Sequence, residues 1–221
     1  MHPFLQVEGT PWDNGTIVGP IVNYLEMCNP STAPYHCNRH MLHMSRLAYN
    51  LYAAEFPHGK LDPKHALNLT YAALFHDFGH SGGRLPDSEN ITIAVEAAMR
   101  YVTMEKSNPD YTSHQYLDRE LITRLIQVTE YPFIHEPQTL LEKCIRDADV
   151  LYSTLMGEPA IIMEDMRREA EVRLGHAVSY DDMQRGQRAF MSHTRLYLPM
   201  AQTLWDEHVD SFTDSIMTYK G

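Results

Sequence analysis

The stretch "YAALFHDFGHSGG", residues 71–83, decides how this chain folds. It begins as an apolar run and ends in His76, Asp77 and His80, followed by Gly82 and Gly83. Upstream, Asp62-Pro63 is a helix start. The aspartate can accept from the first free N–H groups, and the proline loses no hydrogen bond at the first turn. The predicted helix runs to about Phe78 and stops before Gly82-Gly83, where the backbone can turn without a Cβ. His76 and His80, four apart, fall on one helical face. Asp77 is rotated from His76 by about 100°, yet near a helix end both can converge on one cavity.

The pattern around this stretch is helical nearly throughout. Residues 15–28 read as a first helix weakened by Gly19 and Pro20. Residues 37–56 carry Met41, Met44, Leu47, Ala48, Leu51 and Ala54 at three-and-four spacing. A further helix starts with Asp87 or Ser88 as its cap, and another spans 117–130, closed before Pro132. Residues 137–156, 158–174 and 180–210 fit three more. β-branched runs such as "ITIAV" lie within helical periodicity. The expectation is a single all-α domain over residues 1–221, with no internal repeat or low-complexity linker.

At 43 % hydrophobic and 21 % charged, the composition is that of an ordinary globular protein. A formal charge of −11 argues against polymeric nucleic acid, which needs a basic stripe. No apolar run reaches about 18 residues, so no membrane span is expected. The opening "MHPFLQVEGTPWDNGT" lacks the charge and apolar pattern of a secretory signal. Cys28, Cys37 and Cys144 form no CxxC pair and suit a reducing, cytoplasm-like compartment.

The chain holds 13 histidines, and their placement singles out a few. "PYHCNRHMLHM" (34–44) brings His36, His40 and His43 to the start of a helix. "CIRDADVLYS" (144–153) puts Asp147 and Asp149 into an otherwise apolar helix. Buried carboxylates are costly unless paired or protonated. Histidine, then His-Asp, then aspartate, on three helices lining one core, is a mixed N/O divalent site. It suits Zn, Mn, Fe, Ni or Co or, with more waters, Mg. His43 can be a ligand, a partner behind the ligands or core filling; the second is favoured. His114 and His193 stand where a loop and the last helix can reach the cavity.

His40, His76-Asp77 and Asp149 resemble the H…HD…D pattern of the HD-domain phosphohydrolase superfamily, an all-helical metal-dependent fold. Order and spacing agree over about residues 35–205. Ala148-Asp149 matches the family's "AD" pair, and Asp147 stays a candidate beside the site. "PYHCNRHMLHM" is similar to the "YHN-x-x-H" stretch of class I cyclic-nucleotide phosphodiesterases, with Cys37 in place of the asparagine. The resemblance implies that His36 is the general acid and His40 a metal ligand. "HDFGH" resembles "HD-x-x-H", which implies a second metal bridged by Asp77 and reached by His80 through water. "ENITIAV" (89–95) resembles "ENHHLAV": Glu89 then stands near the nucleophilic water, while Ile91 and Thr92 replace two histidines. "GQRAFM" (186–191) resembles "SQVGFI", which implies that Gln187 binds a base edge and Phe190 stacks on the base.

The implied activity is hydrolysis of a 3′,5′-cyclic nucleotide to the 5′-monophosphate, with one or two divalent ions. A hydroxide bridging the metals attacks phosphorus, and His36 protonates the departing ribose oxygen. The alternative is an HD-type nucleotide phosphohydrolase, a 5′-nucleotidase or dNTP triphosphohydrolase. A non-catalytic scaffold would be expected to have lost ligands, and every position of the frame is filled. Arg39, Arg84 and Arg188 are candidate phosphate contacts. The expected partner is a small nucleotide.

Overall fold

Three helices carry the residues singled out above, and their packing brings those residues together. In the computed structural model, residues 18–57, 60–107, 116–155 and 158–218 are described. Among them the chain forms nine helices and no strand. These are α1 (Gly19–Cys28), α2 (Asn38–Ala54), α3 (Pro63–Phe75), α4 (Asp87–Lys106), α5 (Arg119–Gln127), α6 (Leu140–Leu155), α7 (Pro159–Leu174), α8 (Tyr180–His193) and α9 (Pro199–Thr218). Helix α2 is central and packs against α3 and α6. Helix α5 covers α3 and α4, while α9 packs on α6 and α7.

Helix α3 begins as its sequence requires. The Asp62 side chain accepts from the Lys64 N–H at 2.8 Å, and Pro63 occupies the first turn. Every residue from Ala66 to Phe75 is then buried, so the helix is core on all sides. It ends at Phe75, with His76 as its C-cap, a turn earlier than the expected Phe78. The next turn needs glycine. Gly79 has φ +74°, and a Cβ there would lie 2.7 Å from Ile93 Cγ2. Gly83 has φ +91°, and a Cβ there would lie 2.6 Å from the Glu169 carbonyl oxygen. Its missing side chain lets the loop after α3 lie directly on α7.

Two boundaries differ from the sequence reading. The first helix starts at Gly19, with Pro20 in its first turn; the expected start at residue 15 lies outside the described residues. The single helix expected over 180–210 is two, α8 and α9, separated at residues 194–198. Asp147 provides the reason for the break. Both its oxygens accept from the Tyr197 N–H, at 2.9 and 3.1 Å, and one accepts from the Leu198 N–H at 2.8 Å. Pro199 then restarts the helix without needing a partner for its nitrogen. Burial raises the Asp147 carboxyl to a pKa of about 7, against the pull of the Tyr197 and Leu198 N–H donors. Asp147 is therefore a structural anchor of the α8–α9 junction.

No helix among the described residues is long and apolar enough to cross a membrane. Asp147→Ala is expected to lower stability by roughly 1–3 kcal/mol, because buried N–H groups lose their acceptor. Asp147→Asn, which keeps an acceptor oxygen, should lose less. Urea unfolding of the two variants checks this, and divalent-metal affinity should be unchanged in both.

Candidate metal centre

Four side chains from α2, the end of α3 and α6 converge on one point. His40 Nε2 lies 3.1 Å from His76 Nε2, 3.2 Å from Asp77 Oδ2 and 3.2 Å from Asp149 Oδ1. His76 Nε2 lies 3.1 Å from Asp77 Oδ2 and 3.7 Å from Asp149 Oδ1. Ligands about 2.1 Å from a tetrahedral ion are about 3.4 Å from one another. The observed spacings bracket that value.

Hydrogen bonding supports the same reading. His76 Nδ1 donates to the Ala73 carbonyl at 2.8 Å, which leaves the Nε2 lone pair aimed at the cluster. Asp77 Oδ2 is buried and has no hydrogen-bond partner, though two imidazole nitrogens lie beside it. An uncompensated buried carboxylate costs several kcal/mol. That exceeds the roughly 1.5–3 kcal/mol gained by burying one large apolar side chain. Acceptor groups facing one another in a closed core are satisfied by a cation. His40, His76 and Asp149 can hold a metal ion, and Asp77 stands within reach of the same point. His40 and His76 are closed to solvent, whereas the Asp149 side chain is 24 % exposed, so the centre opens on its side.

The charges respond to this crowding. Burial opposes charge on His76, but the neighbouring Asp77 and Asp149 carboxylates outweigh it and raise its pKa well above the ordinary value. Burial pushes Asp77 up, but His76, His36 and His40 outweigh it and hold the carboxyl well below its usual range. Asp149 is held down in the same way by His40 and His76.

A second cluster adjoins the first. His36 stands just ahead of α2, with its ring centroid 5.9 Å from that of His40. Its Nδ1 lies 2.5 Å from Glu169 Oε2, and its ring stacks on that of His80 at 3.9 Å. Glu169 is buried on α7, and its other oxygen accepts from the Tyr35 and His36 N–H groups at 2.8 and 3.0 Å. Burial disfavours charge on His36, yet Asp77 and the Glu169 hydrogen bond outweigh it and raise the pKa to about 9. His36, His80 and Glu169 lie close enough to suggest a metal group of their own. Their bonds argue otherwise: His36 shares a proton with Glu169, and His80 Nδ1 is occupied as acceptor of the Gly82 N–H at 3.1 Å.

The remaining sequence candidates fall less closely together. Glu89 is exposed in the first turn of α4. The carboxylate nearest His80 is that of Asp87, 3.7 Å from Nε2. Phe190 lines a cleft of about 300 Å³ with Tyr131, Phe133, Gly186, Ala189, His193 and Thr194. Gln187 is buried one turn away with its Nε2 unpartnered, outside that lining. His43 packs near Tyr152, 6.2 Å between ring centroids, and burial lowers its pKa. His114 lies outside the described residues. Arg39 is paired with Asp165 at 2.9 Å, Arg84 donates to the Ser81 carbonyl, and Arg188 is exposed.

The sequence reading missed Glu169 and Asp87. Glu169 had a signal: it lies on the α7 face that also carries Ile162, Met166 and Ala170, where a carboxylate is out of place. No family model matches the chain, and no curated protein sequence matches it.

Metal uptake should release protons, because Asp77 and Asp149 favour a proton on His76 that coordination would displace. Affinity for zinc or manganese is expected to fall as pH drops from 8 to 6. Titration calorimetry in buffers of different ionisation enthalpy should show net proton release at pH 7. Affinity independent of pH would contradict this reading.

Proposed function

We infer that the protein is a metal-dependent phosphoric ester hydrolase that opens a 3′,5′-cyclic nucleotide to the 5′-monophosphate. The observation that carries this is the His36–Glu169 pair, 2.5 Å apart, with the His36 ring 5.9 Å from that of His40 in the cradle. An imidazolium held protonated by a buried carboxylate is a proton donor, and a donor beside a cation site suits an ester with a poor alkoxide leaving group. The sequence resemblance to HD-domain enzymes supports the same reading.

His40, His76, Asp77 and Asp149 would hold the ion, either zinc, manganese, iron, nickel, cobalt or magnesium, and Asp77 and His80 face the place for a second. A divalent ion bound there supplies Lewis acidity toward phosphoryl oxygens and a water acidic enough to be a nucleophile near neutral pH. His36 gives its Nε2 proton to the departing ribose oxygen. Glu169 keeps Nδ1–H engaged, which orients the ring and favours its charged form. The ring of the base rests against Phe190 in the cleft it forms with Tyr131 and Phe133. Negative charge on the substrate is met by the ions and His36, which reconciles an anionic substrate with a chain of net charge −11.

Metal-loaded protein incubated separately with 3′,5′-cyclic nucleotides, 5′-monophosphates and dNTPs tests this. Formation of 5′-monophosphate from the cyclic substrate is expected. Release of phosphate or triphosphate with no cyclic turnover would replace it with the alternative, an HD-type nucleotide phosphohydrolase. His36→Ala should lower kcat by about 10²–10⁴-fold with metal content retained. Glu169→Gln removes the charge that helps keep His36 protonated, so the alkaline limb of the pH–rate profile should move to lower pH.

A further inference from the structure

Asp87 touches two parts of the molecule that the function above treats separately. Its Oδ2 accepts from the Tyr131 backbone N–H at 2.6 Å. Its Oδ1 lies 3.7 Å from His80 Nε2, an ion-pair distance longer than a hydrogen bond. Tyr131 belongs to the wall of the aromatic cleft, where its ring meets Phe190 at 6.1 Å and Phe133 at 5.3 Å. His80 stacks on His36.

We propose that Asp87 is a positioning residue whose two carboxylate oxygens hold the cleft wall and His80 in one register. The chemistry of His80 sets the direction of the second contact. Its Nδ1 accepts from the Gly82 N–H, so in the neutral ring the proton sits on Nε2, the nitrogen that faces Asp87. A carboxylate there favours that tautomer and turns the ring face toward His36. The loop holding His80 is fixed independently by Ser31, whose hydroxyl donates to the His80 carbonyl at 2.9 Å, so Asp87 acts on the ring and not on the backbone.

The other contact has a different requirement. Tyr131 is 51 % exposed, and its segment is anchored further on by Arg146, which donates to the Val128 and His135 carbonyls and stacks on Phe133 at 3.7 Å. Between those anchors, the Asp87 bond fixes the stretch that carries the Tyr131 ring. A single carboxylate in the first turn of α4 thereby spans from the proton donor's neighbour to the cleft. Glu89, two residues on, is exposed.

Its consequence for turnover rests on the hydrolase reading, so the test includes measurements that need no activity. Asp87→Ala removes both contacts. Asp87→Asn keeps an oxygen for the Tyr131 N–H and loses the anion at His80. In zinc-loaded protein, NMR should show the His80 Nε2–H exchanging slowly with solvent in the parent and faster in both variants, while Gly82 still holds the tautomer. The Tyr131 amide should exchange faster in Asp87→Ala and at the parent rate in Asp87→Asn. With a cyclic nucleotide, Asp87→Ala should lose on the order of 10- to 100-fold in kcat/KM. With a phosphodiester lacking a base, bis(4-nitrophenyl) phosphate, the two variants should lose equally, through His80 alone. Unchanged exchange of the His80 Nε2–H in both variants, or parent-like Tyr131 exchange in Asp87→Ala, overturns the proposal. Inactive parent protein with both NMR effects present would instead overturn the hydrolase reading. If Asp87→Ala fails to fold, the His80 Nε2–H exchange in Asp87→Asn decides.

Discussion

The structure depends on a set of acceptors that repel one another unless a positive charge stands between them. Two imidazole nitrogens and two carboxylates approach within 3.1–3.7 Å in a largely closed core. Packing of α2 against α3 and α6 brings them there, since each lies on or just past a helix whose buried positions are mostly apolar. Protons can satisfy the arrangement, and the Asp77 and Asp149 carboxylates favour one on His76 by raising its pKa. His40, His76 and Asp149 can instead hold a metal ion, with Asp77 within reach of the same point.

Around that centre the polar groups are arranged in order. His36 adjoins the cradle, and Asp77 together with a buried carboxylate from a helix distant in sequence favours its charged form. Glycine at position 83 allows the His80 loop to press on the backbone of Glu169 itself, so His36, its carboxylate partner and the loop share one contact region. In the proposed hydrolase, that proximity lets one group hold phosphate oxygens while its neighbour protonates the leaving group. The aromatic cleft at Phe190 lies beyond, joined to α6 through Arg146 and Phe133.

Much of this was legible in the sequence, for identifiable reasons. Helix α3 could be placed because Asp62-Pro63 and the glycines after His80 are local signals, independent of tertiary structure. The cradle residues were legible because histidine and aspartate interrupt apolar helices, where they would otherwise be expensive. Glu169 was overlooked because α7 is rich in charge, although its place on the face of Ile162, Met166 and Ala170 marks it. The break between α8 and α9 was hidden for a different reason: Asp147 causes it from 50 residues away, and residues 180–210 taken alone keep a helical pattern. Asp87 and Glu89 illustrate the remaining limit. Both lie in the first turn of one helix, and only the position of the 131–135 segment decides which of them faces inward.

The most direct measurement is X-ray absorption at the zinc edge, on protein dialysed to one zinc per chain. The expected shell contains only nitrogen and oxygen at about 2.0–2.2 Å, with the multiple scattering of two imidazoles, and it is lost in His76→Ala. A sulfur shell at about 2.3 Å, or a spectrum unchanged by His76→Ala, would contradict the cradle.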